Sequence, residues 1–240
     1  MKLALFLLIA TMAVAQQVPP GTAVPVMLNT ALDASKTRAD KRIEGRVMQD
    51  VLLSANEKIR ERSRISGHIV NVTKPGTHGS SITLKFDVIT DGNRTIPITA
   101  NLLAVASDAA VSDAQSPINV TSDRDPMSQW TTRQVGGDVV SRAQGKAGSK
   151  SGVMGTWQGG TSVSIRLTPN PKAGCPEGSG YGDEQAVWVF SSDACGAYGL
   201  KDLTIDRSTT APVGDIILQS PRKISIRGGS GWLLMSVPRK

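Results

Sequence analysis

Aromatic residues are scarce in this 240-residue chain, with three Phe, two Tyr and four Trp. A membrane-spanning barrel needs aromatic girdles at both interfaces, so this scarcity and the shortness of the β-type runs argue against one. Histidine occurs only at His68 and His78, and cysteine only at Cys175 and Cys195. Neither His-Glu-x-x-His nor Cys-x-x-Cys occurs, so no metal site is expected. Gly145-Lys146 and Gly148-Ser149-Lys150-Ser151 do not spell a phosphate-cradling loop, and no cofactor is expected. Past residue 15 no apolar run approaches the roughly 18 residues of a membrane helix, so no transmembrane helix is expected in the mature chain.

The start of the chain reads as a leader. Lys2 supplies a positive charge, Leu3 to Met12 is a short apolar run, and Ala13-Val14-Ala15 is a small-residue cleavage signal. Residues 1–15 are thus read as a signal peptide, and the mature chain is expected in the periplasm or outside the cell. Losing Lys2 changes the formal charge from +7 to +6, a basic balance that favours anionic partners. In an exported chain two cysteines suggest one disulfide, Cys175–Cys195. Its loop of about 20 residues is worth roughly 3 kcal/mol in the chain-entropy account.

Short β-type runs separated by Gly, Pro, Asn and Asp dominate the rest. Strands are expected at Thr22–Leu28, with Pro25 at an edge or bulge, at Ile43–Leu53 and at Ser63–Val72. In Ser81–Ile89, Ile82, Leu84, Phe86 and Val88 alternate with polar residues. Asp91-Gly92-Asn93 reads as a turn returning into Thr95–Leu102, which makes a hairpin of Ser81–Leu102. Residues 107–129 read as a polar loop or linker, and 141–160, rich in Gly, Ser and Lys, as a mobile loop. Further strands are expected at Thr161–Leu167, Leu203–Ile205, Asp215–Leu218, Lys223–Arg227 and Trp232–Val237, with a buried run at Ala186–Phe190. The best helical stretch, Ala104–Gln115, is weak. The fold class is all-β: a soluble barrel- or sandwich-like domain over 16–106, and a β-rich C-terminal region over 130–240.

The order of Gly21-Thr22-Ala23-Val24-Pro25-Val26-Met27-Leu28, Gly45-Arg46-Val47-Met48-Gln49-Asp50-Val51, Ser66-Gly67-His68-Ile69-Val70 and Leu84-Lys85-Phe86-Asp87 carries a resemblance. Residues 19–106 resemble the C-terminal β-barrel domain of the conjugation and type IV secretion scaffold subunit. The match is an ordered set of short pieces. Arg60-Glu61-Arg62-Ser63-Arg64 stands where that family has a second Pro-containing turn, and the family's anchoring helix and linker are missing. Over its whole length the chain is similar to uncharacterised secreted bacterial proteins with a Trp-Val-Phe-Ser-Ser-Asp-Ala-Cys-Gly segment, here Trp188 to Gly196. The resemblance implies a β-barrel fold in an envelope setting, and fold alone does not fix function.

Catalytic signals are thin. Ser220-Pro221-Arg222-Lys223 has Ser-x-x-Lys spacing, but Pro221 and strand-like neighbours argue against the helix that would stack Ser on Lys. Asp183-Glu184 are adjacent and would point oppositely in a strand. Asp108, Asp113, Asp123 and Asp125 read as a solvated acidic cluster. The basic residues say more: Lys58, Arg60, Arg62 and Arg64 recur at every second position, which in a strand puts four cations on one face. Two readings stay open, an edge strand guarded by charge and a contact for an anion. The expected function is a non-enzymatic secreted or envelope binding or scaffold protein. Its partner would be an envelope protein or an anionic envelope polymer, and nucleic acid is not the expected partner. The alternative is a cell-wall or polysaccharide hydrolase, which would need converging carboxylates or a serine beside Lys or His.

Overall fold

A computed structural model describes residues 17–115, 131–133, 135, 139–143, 146–149, 152–157, 165–167, 185–190, 194–206 and 211–239. The leader reading over 1–15 and Cys175 lie outside them, as do Asp123, Asp125, Asp183 and Glu184. The first part runs β1 Ala23–Leu28, β2 Leu32–Asp33, β3 Arg42–Val47, β4 Val51–Ser54, β5 Glu57–Ile59, β6 Arg64–Gly76, β7 Gly79–Asp91, β8 Arg94–Pro97 and β9 Ala100–Ala106, then α1 Asp108–Gln115. β10 Thr131–Arg133, β11 Val139–Ala143, β12 Lys146–Ser149, β13 Gly152–Trp157, β14 Ile165–Leu167 and β15 Gln185–Ala186 make a separate meander. β16 Gly196–Tyr198, β17 Thr204–Asp206, β18 Ile216–Ser220, β19 Ser225–Ile226 and β20 Ser230–Ser236 finish the chain.

The main sheet runs β16-β9-β20-β1-β3-β6-β7-β18-β17, with β8 beside β7, and curls into a nearly closed barrel. The fold is all-β and barrel-like, as the strand patterning predicts. Among the described residues no helix is long and apolar enough to cross a membrane. The expected division at 106/130 does not describe the barrel. β20 lies between β1 and β9, and β18 pairs with β7, so the last third of the chain supplies integral staves. Ala23 stands opposite Met235, a pairing between the two extremes of the sequence that local patterning cannot reveal.

Four local expectations also change. Pro25 lies in an interior strand. It escapes the missing-donor penalty because the β1–β3 ladder begins at Val26, and its carbonyl accepts from the Met48 N–H at 2.9 Å. The Ser81–Leu102 hairpin is half right. β7 and β8 form it, with Asp91 opposite Arg94, but after Pro97 the chain crosses to β20 as β9. The period-two face of β7 slips at a bulge where Asp87 is extra, so Ile89 rather than Val88 turns inward. Within 141–160 the backbone forms β11, β12 and β13 in place of a loop, with Ala143 opposite Lys146 and Ser149 opposite Gly152. The β-formers Val139, Val140, Val153 and Trp157 outweigh the intervening glycines.

Two apolar clusters hold the fold. Inside the barrel, Val24, Val26, Leu28, Ile43, Ile65, Ile82, Leu84, Phe86, Leu218 and Trp232 pack together, and Phe86 meets Trp232 edge-on at 6.2 Å. Burying each such side chain stabilises by about 1.5–3 kcal/mol. A second cluster covers the outer face of β9, β20 and β1, where Leu103, Leu233 and Met235 pack under Val111 of α1 and under Trp188 and Phe190. The run read as buried at Ala186–Phe190 is buried from Val187 to Phe190, in a turn rather than a strand. Gln49 Oε1 accepts the Trp188 N–H at 2.6 Å, which ties this cover to the barrel. Among the described residues no comparable apolar cover lies over the opposite wall, β3–β6–β7.

Candidate functional site

Gly45 lets β3 lie close against β1, Gly67 lets β6 lie close against β7, and β3 pairs with β6 in antiparallel register. A Cβ on Gly67 would lie 1.9 Å from the Lys85 carbonyl oxygen, and one on Gly45 would lie 2.8 Å from the Met27 oxygen. This register puts Arg46 of β3 opposite Arg64 of β6, and Arg64 opposite Thr90 of β7. Val47 donates its N–H to the Ser63 carbonyl at 2.9 Å. The neighbouring Arg46/Arg64 pair is therefore a non-hydrogen-bonded one, where Cα atoms lie about 4.5 Å apart and side chains are closest. Both arginines are exposed.

Lys58, Arg60, Arg62 and Arg64 are not on one strand. β5 stops at Ile59 and β6 starts at Arg64, with a turn between them in which Arg62 takes a φ of 69°. All four nevertheless face solvent while Ile59, Ser63 and Ile65 are buried, so the exposure pattern survives the break. The turn folds Arg60, Arg62 and Arg64 around one open cleft of about 690 Å³, where Arg46 joins them with Asn29 and Thr90. Lys58 is not among its lining residues.

Carboxylates claim some of these cations. Lys58 Nζ bonds Asp50 at 2.5 Å, and Asp50 also accepts the Glu61 N–H at 2.8 Å. Burial pushes the Asp50 carboxyl up, but Lys58 and the Glu61 amide bring it below the ordinary range. Asp91 is the keystone. Its side chain is 2% exposed, Arg60 Nε reaches Oδ1 at 2.7 Å, and Arg94 bonds Oδ2. Burial raises its pKa, and the hydrogen bonds from Arg94, Arg60 and Ser63 together overcome this and lower it to about 2. A carboxyl so acidic stays ionised at neutral pH and cannot act as a general acid there. Arg94 also reaches Glu57 at 2.8 Å, and Arg42 reaches Glu44 at 3.0 Å.

Three cations of the cleft remain. Among the described residues Arg62 has only Glu61 as an ion-pair partner, at 3.9 Å, the outer limit of such a pair, and its side chain is 79% exposed. Among the described residues Arg46 and Arg64 have no carboxylate partner. A guanidinium group presents paired N–H donors that match the oxygens of a carboxylate or phosphate.

Sequence reading picked out Arg60, Arg62 and Arg64 and missed Arg46, Asp91 and Gly92. Gly92 has φ +61°, and a Cβ there would lie 2.6 Å from Arg60 Nη2, so glycine lets that guanidinium lie over the β7–β8 turn. Asp91-Gly92 was legible only as a turn, and Arg46 becomes a neighbour only through strand pairing. His68, expected as a strand residue, sits in β6 with Nδ1 2.8 Å from Asp87 Oδ2. Asp108 and Asp113 lie in α1. Among the described residues no group of three or more His, Cys, Asp and Glu could hold a metal ion. Cys195 is half-buried, and the Tyr198 hydroxyl bonds both its N–H and its carbonyl, at 3.0 and 2.9 Å.

No family model, no curated protein and no solved structure matches this chain.

Proposed function

We propose that the chain is an exported, non-enzymatic binding module, and that the arginine cleft on the β3–β6–β7 wall is its contact for an anionic envelope component. One observation carries this reading. Arg46 and Arg64 stand directly opposite each other, exposed and without a carboxylate partner among the described residues. Like charges at opposed positions destabilise a sheet. A bound anion would turn that cost into a gain. The wall's position supports the same reading, because α1 and the Val187–Phe190 turn cover the other side of the barrel and, among the described residues, nothing apolar covers this one.

The setting belongs to the proposal as well: an exported chain with a Cys175–Cys195 disulfide, whose residues 19–106 resemble a secretion-scaffold barrel. Secretion genes beside its own would favour a scaffold role. The test of the binding role is retention on an immobilised polyanion such as polyphosphate at low salt, beside a variant carrying Arg46→Ser and Arg64→Ser. Equal retention of the folded variant would reject the cleft as the contact.

A further inference from the structure

We infer that Arg62 is a ligand-contacting residue held in place by a β-bulge, and that Arg46, Arg62 and Arg64 together take a phosphomonoester dianion; this rests on the anionic role proposed above. Arg62 donates its N–H to the Val47 carbonyl at 2.7 Å, while Val47 donates to the Ser63 carbonyl at 2.9 Å. Arg62 and Ser63, at the entry to β6, thus both bond to the one residue Val47 of β3, the two-against-one arrangement of a bulge. Where the first bulge residue is left-handed, glycine is the residue that adopts it without strain. Arg62 adopts it at φ 69°.

Packing does not explain the choice, because 79% of the Arg62 side chain is in solvent. Ion pairing does not explain it either, with Glu61 at 3.9 Å. A strained arginine therefore sits one residue from Ser63 and two from Arg64, which itself opposes Arg46. Strain and like-charge opposition in one patch are two locally unfavourable features. Natural chains gather such features where function requires them.

The lining selects the ligand class. Among the described residues no apolar side chain lines the cleft, whose four arginines outnumber its three carboxylates, Glu44, Glu61 and Asp91, whereas a protein-docking site needs a buried apolar or aromatic anchor. A carboxylate brings one charge and two oxygens, enough for a single guanidinium fork. A phosphomonoester brings a charge of roughly −1.5 to −2 and three acceptor oxygens, which suit three guanidinium groups. A lipid headgroup, a phosphorylated glycan or free phosphate would present this same chemistry.

The experiment is calorimetric titration of the full chain with inorganic phosphate, phenyl phosphate and acetate at low salt, beside Arg62→Gly and the Arg46→Ser/Arg64→Ser pair. Both phosphates should bind at least about tenfold more tightly than acetate. Arg62→Gly should weaken phosphate binding at least about fivefold while raising the urea midpoint, since glycine relieves the strained backbone. Vesicles of phosphatidic acid in phosphatidylcholine should compete with phenyl phosphate if the source is a lipid and leave it bound if the source is soluble. A raised midpoint with unchanged phosphate affinity would overturn the role of Arg62. Acetate binding as well as phosphate would overturn the ligand class and leave the anionic role standing. Failure of both small anions and of polyphosphate to bind would overturn both.

Discussion

Changing Asp91 to Asn keeps the shape of the side chain and removes its charge. In the native structure that charge is almost wholly buried, with Arg60 Nε at 2.7 Å on one oxygen and Arg94 on the other. The pKa falls from an ordinary 3.8 to about 2. A shift of this size corresponds to at most about 2 kcal/mol, because both arginines reach water and are partly screened. The sign follows from the depressed value. The stabilisation is present above the unfolded value of 3.8 and is lost as pH falls through about 2. Asn would also turn an N–H donor toward one guanidinium, so at pH 7 the variant should lose on the order of 2–3 kcal/mol. With a urea slope of roughly 2–3 kcal/mol/M, the midpoint should drop by about 1 M. Urea unfolding of parent and variant from pH 7 to pH 2 measures both effects, and the two stabilities should converge toward the acid end. A loss below about 0.5 kcal/mol at pH 7, or a gap that persists unchanged to pH 2, would refute the keystone role of Asp91.

Three further outcomes can be checked with purified protein. Gly67→Ala forces a Cβ to 1.9 Å from the Lys85 carbonyl, so thermal unfolding should show a loss of about 1–3 kcal/mol or more. Trp232→Ala empties the barrel centre, where the indole is fully buried against Phe86, and should cost about 3–5 kcal/mol in the same assay. Thiol titration of the unreduced, denatured protein should find no free thiol, and two titratable thiols would reject the proposed Cys175–Cys195 bond.

Much of the barrel is legible in its strands and little of it in their partners. β1, β6, β7, β18 and β20 show in alternation or in β-branched runs because one face of each meets a core. β1 and β20 are apolar on both faces because the second cluster covers them from outside, and a single sequence does not separate that from a fully buried strand. The crossing of the chain after Pro97 leaves no local mark, since it serves a pairing with β20, 129 residues away at the Ala104–Leu233 pair. Ala104–Gln115 is half helix because its first residues belong to β9, where burial against β20 outweighs helix propensity. At the site, period-two spacing foretells which basic residues face water. It does not foretell the bulge, because arginine carries none of the turn preference of Gly or Asn.

The most direct test of the proposed anion contact at the arginine cleft is the salt dependence of polyphosphate binding. At 0.1 M salt, where charges act over about 10 Å, the parent should bind. At 1 M, where they act over about 3 Å, it should be released, and the folded Arg46→Ser/Arg64→Ser variant should bind weakly at both. Binding by that variant equal to the parent's at 0.1 M salt would contradict the account.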